Sequence, residues 1–196
     1  MTTNVELEKV SSAIVPKRFR VEDFRRMTEV GILPEESGWE IIDGFLIDKM
    51  TIGSRHPSTV KRMNRKLMRL LGDNAIISVQ DPIHIDDYNE PEPDIALLKP
   101  REDFYAESHP APQDVLLLVE VSDSTVEYDR EIKKSIYAKA EIAEFWLVNL
   151  KESTIECYTQ PKNGNYRLAQ IFETGEMVQS KTIENLKLKV KEILAS

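Results

Sequence analysis

Two stretches decide how this chain folds: Pro93-Asp94-Ile95-Ala96-Leu97-Leu98 and Leu116-Leu117-Leu118-Val119-Glu120-Val121-Ser122. Each is an apolar run of strand length with a carboxylate near one end. Residues 115–121 are apolar on both alternations, which predicts a central strand covered on both faces. Burying a lone charge in such a place is costly unless it is paired or binds a cation. If the two strands are neighbours, Asp94 and Glu120 meet at one sheet edge, and hard oxygen donors there suit a divalent cation. A structural reading stands beside this one, in which Asp94 caps a turn and Glu120 pairs with a nearby arginine or lysine.

Downstream, residues 128–142 predict a helix with Ile132, Ile136, Ala140 and Ala143 as its apolar stripe. Lys133 falls at the flank of that stripe, within reach of Glu120, whereas Lys134 lies nearer solvent. Residues 144–150 then read as another buried strand, and residues 153–172 as a hairpin turning at Lys162-Asn163-Gly164-Asn165.

Upstream, residues 21–30 predict a short helix, and Trp39–Asp48 a hairpin turning at Asp43-Gly44. On spacing alone, Glu40 is a solvent-facing strand residue. The clearest helix is 58–71, with Val60, Met63, Leu67 and Leu70–Leu71 recurring at helical spacing and Ser58 as the N-cap. Lys61, Arg65 and Arg69 form a basic ridge on its outer face, able to follow a DNA backbone and equally well explained as a solvated surface. Residues 75–79 and 93–98 predict strands, 83–85 a possible short one, and 181–195 no definite form. Strands with no helices between them, followed by a helix and a strand, indicate an α/β domain with a mixed sheet.

Composition narrows the function. The chain has 196 residues, 41% of them apolar, enough for one substantial core. No apolar run approaches the ~18 residues of a membrane helix, and residues 1–12 carry no secretory pattern, so a cytoplasmic protein without membrane contact is expected. A single cysteine and three scattered histidines exclude an intramolecular disulfide and a cysteine-rich zinc site. The net charge of −8 argues against non-specific coating of nucleic acid, although bound cations and a local basic ridge can reverse the field at a site. None of the seven glycines forms a phosphate-binding loop.

Taken together, GILPEESGWEIIDGFLIDKM, SRHPSTVKRMNRKLMRLL, QDPIHIDDYNEPEPDIALL and LLLVEVSDSTVEYDREIKKSIYAKAEIAEFWLVN resemble, in order and spacing, the Uma-type restriction-endonuclease-like family. The resemblance spans roughly residues 20–175. It implies the PD-(D/E)XK nuclease fold: a mixed central β-sheet flanked by helices, here with an N-terminal hairpin and a C-terminal β-hairpin extension. Residues 1–19 are then a weakly ordered lead-in, and 20–196 one restriction-endonuclease-like domain.

The resemblance also implies site residues. Asp94 and Glu120 match the two metal-binding acids, and Glu40 matches the acid of the family's E-L-I-D-G-type segment. Lys133 matches a helix lysine standing in for the usual strand lysine, a position where this chain has Ser122, and His56 matches a histidine before the first long helix. The expectation is a Mg²⁺- or Mn²⁺-dependent endonuclease acting on DNA as a homodimer. The alternatives are a nuclease-fold binding module without turnover and, last, a metal-free carboxylate-pair hydrolase acting on sugars.

Overall fold

The computed structural model describes residues 16–34, 38–49 and 53–194. Most of the predicted lead-in therefore lies outside the described residues. Helix α1 (Val21–Glu29) is followed by β1 (Trp39–Ile42) and β2 (Phe45–Asp48), which pair antiparallel. Asp43 and Gly44 between them both take positive φ, 51° and 77°, the backbone a two-residue hairpin turn requires.

Helix α2 (Arg55–Leu71) begins three residues earlier than its predicted cap, with Ser54 as the N-cap residue and Ser58 inside the helix. Pro57 is tolerated there because first-turn N–H groups have no intrahelical acceptor. The earlier start puts His56 on the first turn.

Six strands form the central sheet in the order β3 (Ile76–Ser78), β4 (Ile95–Leu98), β5 (Val115–Ser122), β6 (Glu144–Asn149), β7 (Thr154–Lys162) and β8 (Asn165–Phe172). Only β5 and β6 run parallel; every other pairing is antiparallel. The parallel pair needs a crossover, and α3 supplies it as an α turn (Val126–Tyr128), a π segment (Asp129–Lys133) and an α segment (Lys134–Lys139). The C-terminal hairpin extends the sheet as β7 and β8. The tail then forms β9 (Met177–Gln179), β10 (Lys187–Lys189) and α4 (Val190–Leu194). Residues 83–85 form no strand; Ile83 and Ile85 instead bond to Pro91 and Asn89 in a folded loop.

Each face of the sheet has its own core. Met63 and Leu67 of α2 pack with Leu117, Val119 and the tail residues Leu188 and Ile193. Both are fully buried, a condition worth roughly 1.5–3 kcal/mol per side chain. On the other face Leu118, Phe145 and Leu147 pack against Ile136 and Tyr137 of α3. Strand alternation puts Glu120 on the same face as Leu118, under α3.

Candidate active site

The register of β4 and β5 pairs Ile95 with Val119, so Asp94, just before β4, lies beside Glu120. The Asp94 N–H donates to Glu120 Oε2 at 3.4 Å, and the Val121 N–H donates to Asp94 Oδ2 at 2.8 Å. His56 Nε2 lies 2.8 Å from the same Asp94 oxygen. From α3, Lys133 Nζ donates to Glu120 Oε1 at 3.1 Å and pairs with Glu40 Oε2 at 3.0 Å. The five residues singled out in the sequence thus form one continuous chain of contacts: His56, Asp94, Glu120, Lys133 and Glu40. None is more than 7% exposed.

Two sequence expectations need correction here. Glu40 does not face solvent: it is 1% exposed, accepts the Glu92 N–H at 3.1 Å, and balances Lys133. Lys133 does not sit at the flank of the buried stripe. It is near the centre, with Val126, Asp129, Ile136 and Tyr137 buried around it, while Ile132 is 38% exposed and Ala143 is also exposed. A stripe drawn through apolar residues alone misses a helix face whose middle is charged but paired. The π segment carries both Asp129 and Lys133, a geometry uncommon in helices and frequent at functional sites.

Several contributors carried no sequence signal of their own. The Tyr137 hydroxyl donates to Glu120 Oε1 at 2.6 Å, one helical turn beyond Lys133. Gln80, held at φ 58°, reaches Asp94 Oδ1 at 3.3 Å. Asp129 accepts from Ser122 and, at 3.0 Å, from Thr125. Ser122, at the position of the usual strand lysine, is therefore a buried hydroxyl that anchors the start of the π segment. Lys49 adds a second cation 3.9 Å from Glu40.

The two central acids titrate in opposite directions. Burial pushes the Glu120 carboxyl up to about 7 against the attraction of Lys133, and Asp129 and Asp94 push the same way. Burial also acts on Asp94, but the His56 hydrogen bond and charge, the Val121 N–H and Lys133 outweigh it and hold this carboxyl below its ordinary range. Lys133 stays protonated: burial disfavours its charge, and Glu120 and Glu40 more than compensate. One ionised acid, one acid poised near neutrality and one fixed ammonium therefore stand side by side.

The comparisons with known proteins point the same way as the fold. The family model Uma2, described as "Putative restriction endonuclease", matches residues 21–191. This chain belongs to the Uma2 family. A crystal structure of a "putative nuclease belonging to DUF820" from Anabaena variabilis ATCC 29413 aligns over 92% of this Uma2 chain and 98% of its own. Its TM-score is 0.69 and its identity 18%, a likeness that establishes the fold. Curated proteins give no match. No helix among the described residues is long and apolar enough to cross a membrane.

The donor set fits a hard divalent cation. Asp94 and Glu120 offer carboxylate oxygens, and Mg²⁺ characteristically takes one or two carboxylates, keeping its other positions for water and substrate phosphate. Among the described residues no three His, Cys, Asp or Glu side chains group together as a metal-holding cluster. Glu40, the third acid, is paired with Lys133.

Proposed function

We propose that this Uma2 chain is a Mg²⁺- or Mn²⁺-dependent endonuclease that hydrolyses DNA phosphodiester bonds. The observation that carries the reading is the juxtaposition of two buried carboxylates on neighbouring strands with the Lys133 ammonium 3.1 Å from one of them. Asp94 and Glu120 would hold the ion, with Glu40 as the third acid of the set. Bound there, the ion lowers the pKa of a water and neutralises charge on the scissile phosphate.

The remaining work falls to the chain itself. His56 and the Val121 N–H fix the Asp94 carboxylate in its ionised form and orientation. Lys133 keeps its proton and sets a positive charge beside the acids, where it orients water or stabilises charge building on phosphorus. Glu40 holds that ammonium in place. Lys61, Arg65 and Arg69 are exposed and carry no ion pair among the described residues, which leaves all three available to DNA phosphates.

The test is a calorimetric titration of Mn²⁺ into the metal-free protein and an Asp94→Ala variant, with plasmid cleavage assayed on the same samples. Binding and cleavage by the wild type, both lost in the variant, is the expected outcome. Cleavage retained by Asp94→Ala overturns the assignment. Binding without cleavage favours the nuclease-fold binding module, the reading that Ser122 in place of the strand lysine also supports.

A further inference from the structure

Each of the two central acids has one oxygen that is well occupied and one that is lightly engaged. Asp94 Oδ2 accepts from the Val121 N–H at 2.8 Å and lies 2.8 Å from His56 Nε2. Glu120 Oε1 accepts from Lys133 at 3.1 Å and from Tyr137 at 2.6 Å. Among the described residues, Glu120 Oε2 meets only the Asp94 N–H, at 3.4 Å, and Asp94 Oδ1 only the Gln80 side chain, at 3.3 Å. A carboxylate oxygen has room for a second partner, so Oδ1 and Oε2 are the two oxygens left to a cation.

The sheet register brings Gln80 to one of them. β3 and β4 pair Ser78 with Ala96, and two further steps of that register set Gln80 opposite Asp94. There the backbone takes φ 58°, a left-handed region that a residue with a Cβ enters at a cost and that Gly or Asn suits better. What Gln offers at this position is an amide that reaches the acid. The ionised Asp94 only accepts, so Gln80 presents its N–H₂ to it. Its amide oxygen takes no donor among the described residues. Gln80 is exposed while Asp94, Glu120, His56 and Lys133 are buried, so this one side chain links a buried carboxylate to solvent.

We propose that Gln80 is the positioning residue of the cation site. Its amide N–H orients Asp94 Oδ1, the oxygen that faces the ion, and its amide oxygen accepts from water at the same place. This rests on the nuclease reading for its cation, and adds the side chain that aims one carboxylate at it. No bond forms or breaks at Gln80, which acts through Asp94 and water and not as a ligand.

Two variants test this. Gln80→Met keeps the length of the side chain and loses the amide. Gln80→Gly loses the side chain and takes the left-handed backbone freely. Both are compared with wild type by metal-free Tm and by calorimetric Mn²⁺ affinity. Hydrogen-bonded partners behind metal ligands typically set affinity ten- to hundredfold, and this contact is long and exposed, so the Mn²⁺ dissociation constant should rise about tenfold in both variants. Metal-free Tm should stay unchanged in Gln80→Met and stay unchanged or rise in Gln80→Gly. Wild-type Mn²⁺ affinity in both variants means that His56 and Val121 aim Asp94 unaided, and overturns the inference alone. Tighter binding makes Gln80 an occupant that the ion must displace, and overturns it too. A metal-free Tm lowered in both variants makes Gln80 a residue of the fold and overturns it as well. Failure of the wild type to bind Mn²⁺ overturns the nuclease reading and this inference together, whereas binding without plasmid cleavage counts against the nuclease reading only.

Discussion

Glu120 on β5 and Glu144 on β6 stand on neighbouring strands of one sheet, 3% and 0% exposed, and they are buried by different physics. Glu144 accepts from five neutral donors: the Trp146 indole, the Ser180 and Thr182 hydroxyls, and the Lys181 and Thr182 backbone N–H groups, all at 2.7–3.0 Å. Its charge is spread over fixed dipoles, and the arrangement ties residues 180–182 to the sheet. Glu120 instead shares one oxygen between an ammonium and a phenol and has a second carboxylate beside it. A buried acid alone therefore does not mark a site. What separates Glu120 is a counter-charge on a side chain that can yield to another cation, whereas the dipoles around Glu144 belong to the fold.

Removing that counter-charge should break the comparison most sharply. Lys133→Met leaves Glu120 buried without its cation and Glu40 with only Lys49, 3.9 Å away, at a cost of about 3–5 kcal/mol in metal-free protein, measured by urea unfolding. Because Mn²⁺ can replace the lost charge, saturating metal should restore more stability to this variant than it adds to wild type. A variant as stable as wild type without metal would show that the ammonium is not what permits the acids to be buried.

The pH dependence sharpens the same contrast. Glu120 is raised from 4.5 to about 7, so the folded protein keeps a proton that the unfolded chain releases. The stability this contributes is full below pH 4.5 and is lost as pH rises through 7, by about 3 kcal/mol. Asp129 and Glu92 are raised as well and tilt the curve the same way. Asp94, lowered, acts oppositely: its stability is present above the ordinary carboxylate range and is lost as pH falls through its folded value. Metal-free Tm should therefore fall between pH 5 and 7, and Glu120→Gln should flatten much of that slope. An unchanged slope in the variant would mean that Glu120 does not titrate there.

How far the sequence reached is clearest at these same residues. Asp94 and Glu120 were legible because each interrupts an apolar run, and the hairpins were legible because Asp43-Gly44 and Asn163-Gly164 supply the positive φ their turns need. Glu40 was misread as exposed because strand alternation is blind to a lysine arriving from another element. Lys133 was found from a helix face drawn off-centre, since apolar periodicity cannot see a charged residue whose partners lie 13 and 93 positions away. Tyr137 and Ser122 take their roles only once β5 and α3 are packed. Glu144, before the apolar FWLVN run, has the same local pattern as Glu120 and would have been an equally good candidate on sequence alone.

The smallest test asks what one neutral donor is worth at each glutamate. Tyr137→Phe removes one of the two side chains that donate to Glu120, in a fully buried position. The expected loss is about 1.5–3 kcal/mol, the range for a hydrogen bond to a charged group. Much of it should vanish near pH 5, where Glu120 is protonated in the folded protein. Ser180→Ala removes one of five donors from Glu144, and the Thr182 hydroxyl and two backbone N–H groups remain on the same oxygen. That loss should be about 1 kcal/mol or less. Urea unfolding of both variants at pH 5 and pH 7.5 checks the difference. Equal costs would mean that the two acids are held alike, and the case for a distinct chemical role at Glu120 would then rest on Asp94 alone.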